Sequence, residues 1–224
     1  MKLNHTTYSA SFTAGGLLYR ETTCLLPLLF SEHPDKLIQE EIINNDLLKI
    51  NSEASRKRVI WEINKRMAHM NDDFRRFYTE KCVYEQKLLL FYVCLKTYKL
   101  MFDLHFNVTV KRWNSSSHRI EPYFYRMELN ELSVRNQQVN GWSDLTKSKL
   151  VSVYLKILKE IGLLVAANQT PLSASEQKIS GADTTDHTLS PVTASNDFWR
   201  FFVQCNESWF LDACLLSVRQ KQFM

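Results

Sequence analysis

The residues of this sequence best suited to chemistry are lysines and serines repeated at helical spacing, and the chemistry they suit is contact with a polyanion. Lys149, Ser152, Lys156 and Lys159 stand at i, i+3, i+7 and i+10, one stripe of a helix, with Ser148 beside it and Lys147 adjacent. Lysines reach phosphates and small hydroxyls let a helix come close, so the stripe suits a helix laid into a DNA groove. The rival reading is an amphipathic helix with ordinary surface lysines. A second cluster, Arg56-Lys57-Arg58 with Lys65-Arg66, encloses one acid, Glu62, and also Trp61. An indole there can stack on a base or a sugar, although packing against a neighbouring helix is the preferred expectation. Lys111, Arg112 and Arg119 form a third group. The formal net charge is only +4. Acids gather elsewhere, as in Glu32–Asp46, and segregation of this kind gives a salt-sensitive polyanion footprint.

Catalytic signatures are missing. No Walker A loop, G-x-G-x-x-G, G-x-S-x-G or H-E-x-x-H occurs. His5, His33, His69, His105, His118 and His187 are scattered, and none lies three or four residues from another His or a Cys. No local metal site is therefore expected. The pairs Glu40-Glu41 and Asp72-Asp73 are sequence neighbours, which diverge by ~100° on a helix and read as solvated faces. Glu21, alone among apolar positions, is expected to make an internal hydrogen bond or salt bridge rather than to catalyse. Gly15 and Gly16 are expected to allow close backbone packing, with a phosphate cradle as the alternative. The expectation is a non-enzymatic protein without cofactor, metal or small-molecule substrate.

The elements that must position these residues are mainly α-helical, since Gly and Pro number only five each. Helices are expected from near Ser11 to Leu28, with Ser11 or Thr13 as cap, then over Pro34–Asn45, Ser52–Met70 and Asp72–Thr79. In the third of these Ile60, Ile63, Met67 and Met70 share one side, opposite Lys57, Arg58, Trp61, Glu62 and Lys65. Tyr84–Phe106 is apolar nearly all round, the pattern of a helix central to a bundle. Val108–Trp113 extends it or forms an extended segment. The serine loop at 114–117 divides an N-terminal helical domain, 1–113, from a C-terminal one, 118–224. There Pro122–Gln138 reads as a helix. Leu145–Leu164 reads as a better-defined one, with Thr146 as cap, a staple between Leu145 and Leu150, and Gly162 as left-handed stop. Its buried side is Leu150, Val151, Tyr154, Ile157, Leu158 and Ile161. Large apolar residues nearly vanish over 166–196, a long polar loop or a hairpin with a mobile tip. Two short helices split by Asn206 follow. Helix, turn, capped helix, polar hairpin and return is the order of a winged helix, with Val165–Pro191 as the wing.

Five cysteines, an odd number without C-x-x-C, suggest buried reduced thiols. The N-terminus has no signal-peptide core, and the apolar runs fall short of the ~20 residues that span a bilayer. A cytoplasmic protein with no membrane partner is expected.

The opening Tyr8-Ser9-Ala10-Ser11-Phe12-Thr13-Ala14-Gly15-Gly16-Leu17-Leu18, followed by Glu21, resembles the start of the BrxA family of BREX bacteriophage-exclusion systems. Glu85-Gln86, Cys94-Leu95-Lys96-Thr97-Tyr98, and Leu145-Thr146-Lys147-Ser148-Lys149-Leu150 running to Glu160-Ile161-Gly162-Leu163-Leu164 are similar again. The resemblance covers most of the chain in order, the wing region least. It implies a helical fold related to NusB-type antitermination factors, DNA binding without enzymatic activity, and work beside a methyltransferase, an ATPase and other BREX components. It brings no contact residues with it. The expected ligand is double-stranded DNA, held through phosphates by the Arg56–Arg66 cluster, Lys111, Arg112, Lys147, Lys149, Lys156 and Lys159, with Ser148 and Ser152 between. Two alternatives stand beside it. One is a scaffold of the BREX complex docking through Trp199, Phe202 and Trp209; the other is a structured-RNA-binding protein.

Overall fold

The computed structural model describes residues 7–166 and 187–222. It is mainly helical with one small sheet. Its contacts divide the chain into two compact units, Met1–Met101 and Phe102–Met224. The division comes earlier than the serine loop. The physical reason lies in Phe102, His105 and Thr109, whose side chains pack with Trp209, Tyr154 and Tyr125.

The first unit opens with a short 3₁₀ turn, Ser11–Ala14, and then the helices α1 (Tyr19–Leu29), α2 (Pro34–Asn44), α3 (Glu53–Met67), α4 (Asp72–Glu80) and α5 (Val83–Thr97). The expected single helix from Ser11 is broken: Gly16 and Leu18 both take left-handed backbone, φ 64° and 55°. Neither Ser11 nor Thr13 caps α1. The glycine pair serves a turn rather than a phosphate cradle, and the Leu18 side chain fills the space beside Gly15. α5 is the core helix, with every residue from Leu88 to Leu95 buried. It packs against α3 and α4, and Phe74 of α4 stacks on Tyr92 with ring centroids 5.0 Å apart. The apolar side of α3 is buried as its period requires, through Ile60, Ile63, Met67 and the following Met70. Tyr98 leaves helical geometry (φ −117°, ψ 105°) and ends α5, where the apolar pattern gave no sign of a break.

Glu41 is no solvated carboxylate. It is buried and accepts the backbone N–H groups of Asp46, Leu47 and Leu48 at 2.8–3.1 Å. Left-handed Asn45 turns the chain back over it. Glu21, by contrast, pairs with neighbouring Arg20 at 3.4 Å near the surface.

The second unit carries α6 (Lys99–Leu104) from Phe102 onward, continuing through a π-helical turn, His105–Val110, into α7 (Lys111–Trp113). Then follow β1 (Arg119–Ile120), α8 (Pro122–Arg135), α9 (Gln137–Asn140), α10 (Asp144–Glu160), β2 (Leu164–Ala166), β3 (His187–Leu189), α11 (Asn196–Gln204), α12 (Trp209–Ala213) and α13 (Val218–Lys221). The sheet order is β1-β3-β2, antiparallel throughout, with Ile120 opposite His187 and Leu164 opposite Leu189. The expected polar wing falls mostly on residues 167–186, outside the described residues. α11 and α12 are the two expected short helices, split at left-handed Asn206.

The π-helical turn aims His105 and Thr109 into the core, where π-helical geometry often serves a special side-chain placement. His105 Nε2 lies 2.8 Å from the Ala213 carbonyl and must donate to it. Nδ1 therefore accepts from the Tyr154 hydroxyl at 2.7 Å. Thr109 joins Tyr154 at 3.0 Å and Tyr125 at 2.8 Å, so one proton order runs Tyr125, Thr109, Tyr154, His105. Burial pulls the His105 pKa down from 6.5 to about 4, against a smaller opposing effect of the Ala213 hydrogen bond. The unfolded chain then binds the extra proton between those values, so stability falls as pH drops from 6.5 toward 4, by about 3 kcal/mol in full. Urea midpoints at pH 7.5 and pH 4.5 check this. An H105Q variant is expected to lose this part of the acid sensitivity; undiminished sensitivity would assign it elsewhere.

Among the described residues no helix is long and apolar enough to cross a membrane. None of the five cysteines is in a disulfide. Only Cys94 and Cys214 are buried, whereas Cys82 and Cys205 are exposed, contrary to the expectation of buried thiols throughout.

Candidate nucleic-acid interface

α10 is a capped amphipathic helix. Ser143 rather than Thr146 caps it, its Oγ accepting the Thr146 N–H at 3.2 Å. Leu145 is 84% exposed, so no staple forms with Leu150. Leu150, Val151, Tyr154, Ile157, Leu158 and Ile161 are all buried, against α8 and β2 among others. Gly162 at φ 75° stops the helix, as its position predicts. With that side anchored, Ser148, Lys149, Ser152, Lys156 and Lys159 emerge together on the exposed side. Lys147 is half-buried at its edge. None of these four lysines has an ion-pair or hydrogen-bond partner among the described residues. The Ser152 hydroxyl bonds back to the Ser148 carbonyl at 3.0 Å, so it supplies clearance more than a free donor. From Ser148 to Lys159 the stripe runs about 17 Å at 1.5 Å per residue.

The Arg56–Arg66 cluster is not a surface of the same kind. Arg56 is buried, its Nε on the Ile42 carbonyl and its Nη1 on that of Ile50, both at 2.7 Å. Arg66 is fully buried; its Nε donates to the Tyr98 hydroxyl at 2.8 Å and its Nη1 to the Leu17 carbonyl at 2.9 Å. Tyr98 in turn donates to Glu62, which is also buried and lies off the polar side where its spacing put it. These two arginines are spent on the fold. Burial with these internal acceptors keeps both guanidinium groups from a phosphate, even though Arg66 Nη2 is left without a hydrogen-bond partner. Lys57 is exposed but holds Glu53 at 2.6 Å, and that pairing keeps the Glu53 carboxyl below its ordinary range. Arg58 remains exposed and unpaired among the described residues. Lys65 reaches the Ser11 hydroxyl at 3.3 Å and lies over the rings of Trp61 and Tyr98. Trp61 is 58% exposed and does not pack into a helix interface as expected.

The third cluster is split. Arg112 donates its Nε to the Arg119 carbonyl at 3.0 Å and lies 4.4 Å from the Phe124 ring centre. Lys111 beside it is exposed and unpaired among the described residues. Both line a cleft of about 280 Å³ with Phe124 and Glu128. Among the described residues no group of three or more His, Cys, Asp or Glu side chains is placed to hold a metal ion.

Sequence spacing missed Arg126 and Asn130 of α8. They line a cleft of about 200 Å³ with Asp144, Lys147 and Ser148 of α10. Their i, i+4 relation was legible, but not that α8 lies against α10.

A model of the BrxA family matches residues 6–175. A relative described as BREX protein BrxA, from Bacillus cereus (strain H3081.97), is 22% identical over 180 residues, which is 80% of this chain and 89% of that protein. Among solved structures, the crystal structure of an uncharacterized protein from Magnetospirillum magneticum superposes with a TM-score of 0.69 at 18% identity. That match covers 92% of this chain and 97% of the other, and it speaks for the fold alone. With the family match spanning most of its length, the chain belongs to the BrxA family.

Proposed function

We propose that this protein is a non-enzymatic accessory component of a BREX phage-defence system that binds duplex DNA mainly through its phosphates. One observation carries the reading: the exposed side of α10 bears lysines that no carboxylate among the described residues neutralises. A lysine held in an internal ion pair would surrender that pair on meeting a phosphate, whereas these release only counterions. An α-helix fits the DNA major groove, about 12 Å wide. The order β1, α8, the single turn α9, α10, then paired β2 and β3 supports a winged-helix reading of this unit. α10 is then the recognition helix and the paired β2 and β3 the base of the wing, in a chain otherwise related to the NusB-like helical fold. Family membership supports other BREX components as partners.

Against the scaffold alternative stand two of its three proposed anchors, Trp199 and Phe202, which are buried; the third, Trp209, is half-buried. The test is a mobility shift of a labelled duplex. A shift is expected at low salt, weakening as salt rises, with structured RNA a poor competitor. RNA displacing the duplex at equal mass would favour the RNA-binding reading instead.

A further inference from the structure

We infer that the cleft between α8 and α10, lined by Arg126, Asn130, Lys147 and Ser148, seats one phosphodiester of the DNA strand that α10 follows. The inference rests on the DNA-binding reading and adds α8 to the contact surface. Arg126 and Asn130 are one helical turn apart on α8, and Lys147 and Ser148 open α10 at the head of its lysine stripe. Neither Arg126 nor Lys147 has a hydrogen-bond or ion-pair partner among the described residues, although Asp144 lines the same cleft.

The cleft is a two-cation site rather than a helix-end site. Two amides at the start of α10 are already engaged, Thr146 N–H by the Ser143 hydroxyl and Lys147 N–H by the Ser143 carbonyl. What remains is a planar guanidinium and an ammonium on two walls, with an amide and a hydroxyl between. A guanidinium fork can take two phosphate oxygens while an ammonium takes a third contact. Asp144 opposes an anion there, so it tunes the seat downward.

Duplex affinity is measured by fluorescence anisotropy over a salt series for the full chain and four variants. R126A is expected to weaken binding about tenfold and to flatten the salt slope by about 0.9, the loss of one phosphate contact. D144N is expected to tighten binding. R135A, on the same helix but paired with Glu131, is expected to change neither quantity. An R126A slope equal to wild type, in a protein whose binding K149E/K156E removes, would overturn the seat and leave the α10 reading intact. Absence of duplex binding by the wild-type chain would overturn both.

Discussion

K149E/K156E is expected to lose duplex binding by at least about a hundredfold at low salt, since two attractive phosphate contacts become two repulsive ones. The same variant is expected to unfold within about 0.5 kcal/mol of wild type, because both side chains are exposed and hold no partner among the described residues. Their loss removes nothing from the fold. The pairing of a large binding loss with an unchanged urea midpoint is the signature of an interface rather than a scaffold. Single reversals at Lys156 and at Lys57 sharpen the point. Lys57 carries the same charge but is already engaged by Glu53, so K57E is expected to weaken binding far less than K156E. Equal losses would mean that the protein's net charge, not the α10 stripe, sets affinity.

R66M is expected to behave in the opposite way, destabilising the protein by about 3–5 kcal/mol, the range for breaking a buried charged network by removing one partner. The methionine keeps part of the stem but leaves the Leu17 carbonyl unbonded and the Glu62 carboxylate buried without the nearby guanidinium. Left-handed Gly16 and Leu18 flank Leu17 and present its carbonyl to Arg66. The glycine pair, Glu62, Arg66 and Tyr98 thus form one unit, scattered over the N-terminal half of the sequence. Equilibrium urea unfolding measures the loss, and a change under about 1 kcal/mol would contradict the network's weight. Folded R66M, isolated at low temperature, is expected to keep the wild-type salt slope for duplex, because Arg66 reaches no phosphate.

Periodicity made the helices legible, and with them the exposed side of α10. A 3.6-residue repeat of large apolar side chains can be buried in only one orientation, which forces Lys149, Ser152, Lys156 and Lys159 outward together. It also located Ile60, Ile63 and Met67 in the interior. Charge was read less well. Arg56, Arg66, Glu41 and Glu62 look like surface residues in the sequence, yet each is buried. What reverses the usual preference is a set of partners distant in the chain, such as Leu17 for Arg66, or a loop folded back, as for Glu41. No local pattern reports such partners. Trp61 erred in the other direction, since an indole's bulk argued for packing and its surroundings left it exposed. The break at Tyr98 and the π-helical turn after it also escaped, because no glycine or proline marks either, and the side chains there bond residues remote in sequence, Tyr98 to Glu62 and His105 to Ala213. The cleft holding Arg126 depends on α8 lying against α10, a tertiary contact that spacing along one helix cannot show.

The central claim is that α10 meets DNA by displacing counterions from phosphates, and a salt titration of wild-type duplex affinity tests it most directly. With Lys147, Lys149, Lys156, Lys159 and Arg126 each neutralising one phosphate, log K is expected to fall with log salt at a slope of about −4 to −5. A slope shallower than about −1 would mean that phosphate neutralisation does not drive the contact, and the account of α10 given above would be wrong.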